Sequence, residues 1–208
     1  GMEIKERQIE IIEAAGEILT ESGINALTTK NLAAKMGFSE SALYRHYASK
    51  EEIVLTMLKY LSINMDNRLT NSVDGIERSE EKLKAVFSNQ FEFFKKNPHF
   101  LVAIFSDGLL EESKAINEAI MQIMDTKRKH LLQIIQQGQK KKQFTETLSA
   151  DELVHIIMGS FRLHMLQWRL SGFAFDLKSK GNKLMANLLT LIQPNKSILW
   201  KWPLKHQR

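Results

Sequence analysis

The sequence predicts an all-α fold in two parts, a small N-terminal helix-turn-helix unit and a larger C-terminal helical body. Three observations carry this expectation. Only three prolines and ten glycines interrupt 208 residues, and the stretches between them repeat apolar side chains at helical spacing. The segment Leu27 to Val54, LTTKNLAAKMGFSESALYRHYASKEEIV, reads as two short helices joined by a tight glycine turn and followed by a third. The chain is also long enough to give a second domain a core of its own.

Helix one is expected from about Ile4 to Ser22, with Ile9, Ile12, Ala15 and Leu19 at helical spacing and Gly23 as its stop. Thr28 or Thr29 can cap a second helix whose inward face is Leu32, Ala33 and Met36, and Ala33 with Ala34 leaves room for a neighbour to cross closely. That helix stops at Gly37, which enters a left-handed conformation without a Cβ penalty. Phe38 can plug the space between the helices. Ser39 is a good N-cap for Glu40 to Tyr47, a helix expected to bury Ala42, Leu43 and Tyr47. Ser49 with Glu52 reads as a capping box that opens a further helix near Lys50. It should continue over residues 51–70 as a connecting helix, apolar at Ile53, Val54, Met57, Leu58 and Leu61. The domain boundary is placed near residue 50, giving domains over 1–50 and 51–193 and a basic tail over 194–208.

In the second domain, Asp74-Gly75 marks a loop. Ser79 is read as the cap of a helix that runs to about Lys96 and ends at Asn97-Pro98. Phe100 to Leu110 reads as a short apolar helix, and residues 112–137 as a long one ending near Gly138. Ser149 with Glu152 makes a second capping box, opening a helix that reaches Ser171-Gly172, and the last helix covers about Leu177 to Ile192 before Pro194.

The chemistry of the first domain lies opposite Leu43, on the face carrying Glu40, Ser41, Tyr44, Arg45 and His46, polar groups of the kind that contact phosphates and base edges. Lys50 falls in the first turn of the next helix, where free backbone N–H groups and the positive helix end can join it in holding a phosphate. The candidate DNA-binding residues are Thr28, Thr29, Lys30, Ser39, Glu40, Ser41, Tyr44, Arg45, His46 and Lys50, with Ser39 acting first as a cap. Two readings of Glu40 stay open, acceptance from a cytosine amine and stabilisation of its own helix N-terminus.

These residues resemble the DNA-binding domain of TetR-family transcriptional regulators. The shared features are the long first helix, the Thr28-Thr29-Lys30 opening, the Gly37 turn, Leu43-Tyr44-x-His46-Tyr47, and Ser49-Lys50-Glu51, within residues 5–55, about a quarter of the chain. The resemblance implies that Thr29, Tyr44 and Lys50 hold phosphates and that Lys30, Glu40, Ser41 and His46 meet bases. Many members carry glycine or proline where this chain has Ser41, a departure that bears on the operator sequence and not on the fold.

The larger domain is rich in adaptable apolar side chains. Phe91, Phe94, Phe105, Met121, Met124, Met158, Phe161 and Met165 are candidates for lining a pocket for a hydrophobic small molecule, although such a stripe equally describes ordinary core. Between Leu153 and Leu170 apolar residues occupy almost every face, and the last helix is also too apolar for a solvated edge. Both helices are therefore expected to pair with their symmetry mates in a homodimer, through Phe161, His164, Trp168, Leu184, Leu188 and Leu191. A deeper monomer core is the alternative.

Charge adds little. The net charge is +5, yet residues 1–50 hold six bases against seven acids. The excess lies in Lys127 to Lys142 and after Asp176, runs read as solvated helix ends and tail. From Thr28 to Lys50, four bases face Glu40 alone, a local balance suited to phosphate. No cysteine is present, and neither metal nor cofactor is expected, since the spacing of His155 and His164 fits no ligand motif. No GxSxG, Walker A or paired-His helix points to an enzyme. No long apolar run points to a membrane, and the N-terminus lacks a signal-peptide core, so a cytoplasmic protein is expected. The function expected is that of a regulator, a repressor released from a palindromic double-stranded DNA operator by a hydrophobic effector. The alternative is a regulator without small-molecule sensing, controlled by a protein partner at the C-terminal domain, to which Trp200 and Trp202 in the tail could contribute.

Overall fold

The computed structural model describes residues 6–105 and 113–194. Among these residues the regular elements are helical. They are α1 (Glu6–Ser22), a single 3-10 turn (Ile24–Ala26), α2 (Thr29–Met36), α3 (Glu40–Tyr44), α4 (Lys50–Ser72), α5 (Ser79–Lys96), α6 (His99–Ile104), α7 (Lys114–Lys140), α8 (Ala150–Leu170) and α9 (Leu177–Leu191). None of these helices is long and apolar enough to cross a membrane. Helix α6 closes at Ile104 with Phe105 at its C-cap, short of the expected Leu110, and residues 106–112 and the tail after residue 194, with Trp200 and Trp202, lie outside the described residues.

The first three helices form as their punctuation requires. Thr28 is the N-cap of α2, its side chain accepting from Asn31 N at 3.0 Å. Gly37 ends α2 at φ 69°, the left-handed region where a Cβ would be strained. Ser39 caps α3 by accepting from Ala42 N at 3.2 Å. Ile11, Ile12, Ala15, Leu19, Leu32, Ala33, Leu43 and Tyr47 close a small core, with Phe38 packed on its edge beneath the Arg7 guanidinium, 5.0 Å from the ring. Three details differ from expectation. Helix α3 stops at Tyr44, because the Leu43 carbonyl turns to accept from both His46 N and Tyr47 N. Ala42 is exposed, one position round from the inward Leu43. At α4, Ser49 accepts from Glu52 N, but the Glu52 carboxylate takes Ala48 N at 2.7 Å, so the box closes one residue early.

Helix α4 is the axis of the molecule. Ile53, Val54, Met57, Leu58, Leu61, Met65 and Leu69 are all buried, so one stripe stays covered along the whole helix. It packs on α1, α5, α6 and, most extensively, α7. The smaller domain is held to the larger mainly through α1 against α6, where a Cβ at Gly16 would lie 2.6 Å from the His99 ring.

The larger domain keeps the expected helices with two corrections. Ser79 does not cap α5; it is the first helical residue, its N–H donating to Gln143 Oε1 at 2.9 Å, and Arg78 stands at the cap position without a side-chain bond. Gly138 does not end α7, which runs to Lys140; its missing side chain instead admits the Phe144 ring. The Ser149–Glu152 box closes both ways, with bonds of 3.2 and 3.0 Å, and Asp176 caps α9 by accepting from Ser179 N at 3.0 Å.

Helices α5 and α9 meet at Gly181, where a Cβ would lie 2.5 Å from the Phe91 ring. That ring is buried among Phe87, Phe161 and His164 and has little room to retreat. Gly181→Ala is therefore expected to destabilise the protein by about 1–3 kcal/mol in chemical denaturation, overriding alanine's helical preference. Combined with Phe91→Leu its cost should shrink, a non-additivity that identifies the ring as the obstacle.

Candidate DNA-reading surface and ligand cavity

The sequence-predicted DNA residues fall into two groups. Lys30, Ser39, Glu40, Ser41, Tyr44, Arg45 and His46 are exposed, while Thr28, Thr29 and Lys50 are half-buried at helix starts. Tyr44 is 58% exposed although it is large and apolar in its ring, a placement with no packing reason. Thr29 donates through its hydroxyl to the Tyr47 carbonyl at 3.0 Å, tying the start of α2 to the end of α3 and bringing Lys30 toward the Tyr44–His46 turn. Lys35 is drawn away from this group. Its ammonium pairs with Glu17 at 2.8 Å and Glu21 at 3.8 Å on α1, which hold its pKa above the ordinary lysine value. Two of the acids that offset the domain's charge, Glu17 and Glu21, are thus engaged by Lys35.

A cavity of about 510 Å³ opens in the larger domain between α4, α5, α6, α7 and α8, within the roughly 300–1,000 Å³ typical of small-molecule sites. Of the residues expected to line a pocket, Phe94, Phe105, Met124, Met158, Phe161 and Met165 do so. Phe91 does not, since it packs over Gly181 in the core, and Met121 points outward, 59% exposed. Met65, Leu101, Ile104, Ile123 and Val154 complete the apolar wall, and Gln90, Asp125, Arg128, Asp151, His155 and Arg162 contribute polar groups. Arg128 and Asp151 form an ion pair, and Arg162 lies 4.9 Å from the Phe105 ring.

Lys127, expected in a solvated basic run, is instead buried. Lys127 lines the cavity, is 6% exposed, and sets its ammonium 3.0 Å from the centre of the Phe161 ring. Burial pushes its pKa well below the ordinary lysine value. Its helical register was the available signal: Ile116, Ile120, Ile123, Lys127, Leu131 and Ile134 form one inward stripe.

The residues expected at a dimer interface mostly belong to the protomer's own core. Phe161 packs on Phe87 and Phe91, with ring centroids 5.4 and 5.7 Å apart. His164 approaches the Leu177 carbonyl at 3.3 Å, and Trp168 donates to the Phe175 carbonyl at 3.1 Å. Leu188 is buried and Leu184 half-buried, while Leu191 is exposed. The outward apolar side chains of α8 are instead Ile156, Leu163 and Leu170, seven residues apart. Helical phase explains the correction, because apolar residues around a whole circumference do not reveal which arc meets the core. Among the described residues no cluster of three or more His, Asp or Glu side chains is placed to hold a metal.

A reading helix presented by a small three-helix unit, joined by a continuous helix to a body with a cavity, defines a two-domain helix-turn-helix regulator. Residues 11–57 match the family model described as bacterial regulatory proteins, tetR family, and residues 62–191 match that of the YsiA-like protein C-terminal region. The chain belongs to the TetR family of DNA-binding transcriptional regulators. Among curated relatives, the nucleoid occlusion factor SlmA of Pasteurella multocida is 25% identical over 163 residues, covering 76% of this chain and 82% of that protein. Among solved structures, the transcriptional regulator FadR from Bacillus subtilis in complex with stearoyl-CoA superposes with a TM-score of 0.78 at 21% identity, covering 91% of this chain and all of that one. The ketosteroid transcriptional regulator KstR2 of Mycobacterium tuberculosis gives 0.73 at 23% identity, over 93% and 98%. These likenesses establish the fold.

His99, wedged against Gly16 at the α1–α6 contact, has its pKa lowered from 6.5 to about 4, chiefly by burial. The unfolded chain then binds a proton in a range where the folded one does not. Stability is accordingly expected to fall as pH drops through 6.5 toward about 4. Thermal unfolding across this window should show the slope, and His99→Phe should flatten it.

Proposed function

We propose that this chain is a repressor that binds a palindromic operator as a homodimer and leaves it when a hydrophobic small molecule fills the cavity. The observation that carries the reading is that the two helices connected to the DNA reader also wall the cavity. Helix α4 starts at Lys50 and brings Met65 to the cavity, about 22 Å further along at 1.5 Å per residue. Helix α6 sets His99 against α1 at one end and Leu101 and Ile104 on the cavity at the other. A ligand that spreads this wall tilts α4 and α1 together. Since two readers in successive major grooves stand about 34 Å apart, or a multiple of it, a shift in their separation weakens binding to both half-sites at once. The ligand acts only to the extent that it prefers the displaced arrangement.

In this reading Tyr44, Lys50 and, through its backbone N–H in the first turn of α2, Thr29 hold phosphates, and Lys30, Glu40, Ser41 and His46 face the bases. The dimer forms through the outward side chains Ile156, Leu163 and Leu170 of α8 and Leu191 of α9, which are otherwise exposed. A second reading keeps the DNA binding but replaces the small molecule with a protein partner. It is favoured by the nucleoid occlusion factors among the relatives.

A duplex recovered by random-sequence selection, labelled and followed by fluorescence anisotropy, tests the DNA half. Tyr44→Ala and Lys50→Ala should keep the wild-type melting temperature and lower affinity roughly 10-fold or more, and Lys50→Ala should also flatten the salt dependence by about one ion. Failure of selection to enrich any sequence would contradict it. For the sensing half, a library of apolar compounds should contain one that releases the duplex from wild-type protein and not from Met158→Trp, in which the cavity is filled. Release insensitive to that filling, or none except by a protein, would favour the second reading. Leu163→Glu with Leu170→Glu should sediment as a monomer and lose tight operator binding.

A further inference from the structure

Lys127 has no role in the account so far, yet nothing about its position is what a structural lysine needs. A lysine kept for its stem alone carries its ammonium out to water. Here the side chain comes from the inward stripe of α7 and is 6% exposed, and the ammonium ends 3.0 Å above Phe161 and 5.8 Å from Phe87. Among the described residues no carboxylate, carbonyl or hydroxyl partners it. Asp151 is engaged by Arg128, and Asp125, on the same helix, is exposed. Two aromatic rings offer the cation some compensation, but far less than a hydrogen-bonded anion would. The remaining side chains facing this cavity are largely Phe, Met, Leu, Ile and Val. Gln90, the other buried polar side chain facing it, accepts from Arg68 and donates to the Met65 sulfur, so the space combines a largely apolar lining with one interior cation that has no acceptor of its own among the described residues.

We infer that the effector is an amphiphile with one carboxylate head on an apolar chain, and that the head is buried inside the cavity against the Lys127 ammonium. This rests on the reading of the cavity as the effector site. One interior cation matches one negative charge; a dianionic phosphate would keep an unmatched charge, because Arg128 is already paired and Arg162 lies over Phe105 and is exposed. The same geometry disfavours a chain esterified to a bulky phosphorylated carrier. The carrier would remain in solvent and the apolar chain end would be pressed against the ammonium. With a carboxylate in place, the charged hydrogen bond forms in a dry environment, where it is strong.

Isothermal titration calorimetry of the full chain with dodecanoate, dodecanol and dodecanoyl-coenzyme A tests this. Dodecanoate should bind the wild type at least roughly tenfold more tightly than dodecanol, and more tightly than the thioester. Lys127→Met should erase the preference for the acid while binding dodecanol as well as before, and Arg162→Gln should preserve it. Equal or tighter binding of dodecanol or of the thioester by the wild type overturns the inference, as does a preference for the acid that survives in Lys127→Met. Should Lys127→Met not fold, the wild-type ratio stands on its own beside the Lys127 Cε resonance in carbon-labelled protein, which must move with dodecanoate and not with dodecanol. If none of the three ligands binds, the inference fails. Release of the operator by some other apolar compound would then leave the cavity's sensing role intact.

Discussion

Everything else in this molecule depends on the covered stripe of α4. Seven apolar side chains from Ile53 to Leu69 are buried in succession, and the helix packs both on α1 of the first domain and on α5, α6 and α7 of the second. One rigid element thus belongs to two cores. Close-packed interiors transmit a displacement instead of absorbing it, so the orientation of the first domain is set by how α4 is held in the second. The contact of His99 with Gly16 closes the same linkage from the other side. Without a side chain at residue 16, α1 and α6 approach closely enough to act as one piece.

The second domain is built to leave this linkage adjustable. Its cavity lies between α4, α5, α6, α7 and α8, and the side chains facing it include four methionines, Met65, Met124, Met158 and Met165, unbranched and polarizable residues that repack at low cost. Elsewhere the packing is tight, as at Gly138 under Phe144 and Gly181 under Phe91. In the proposed function, an adaptable space next to rigid seams confines a ligand-driven change to the α4–α6 wall. With the cavity empty, the Lys127 amine is buried without a hydrogen-bonding partner among the described residues, and burial disfavours its charge; in the proposed reading, a group whose cost is relieved only on binding sharpens selectivity among apolar ligands.

Much of the fold was legible in the sequence, because it is written in local signals. Thr28, Ser39, Ser149 and Gly37 act where caps and a turn were expected, and the apolar spacing of α4 placed its buried stripe. The departures share a cause, since each depends on tertiary neighbours. Ser79 and Gly138 look like helix ends, but the bond that the Ser79 N–H donates to Gln143 and the ring of Phe144 decide their roles. Phe91 and Phe161 are indistinguishable as letters; only Gly181 beneath one and the cavity beside the other separate them. Lys127 was legible in principle. Counting charges put it in a basic run with Arg128 and Lys129, whereas helical register puts it in line with Ile123 and Leu131.

The central claim is that the reader and the cavity are coupled through α4 and α6. Coupling free energy is reciprocal, so occupation of the DNA surface must be felt at the cavity even when the cavity is empty. Amide hydrogen exchange of the full chain with and without a selected operator duplex measures this directly. The account predicts that DNA changes protection not only over Thr28–Lys50 but also in His99–Phe105 and in the later turns of α4 around Met65. Changes confined to the first domain, with α6 and the cavity end of α4 exchanging as before, would contradict it.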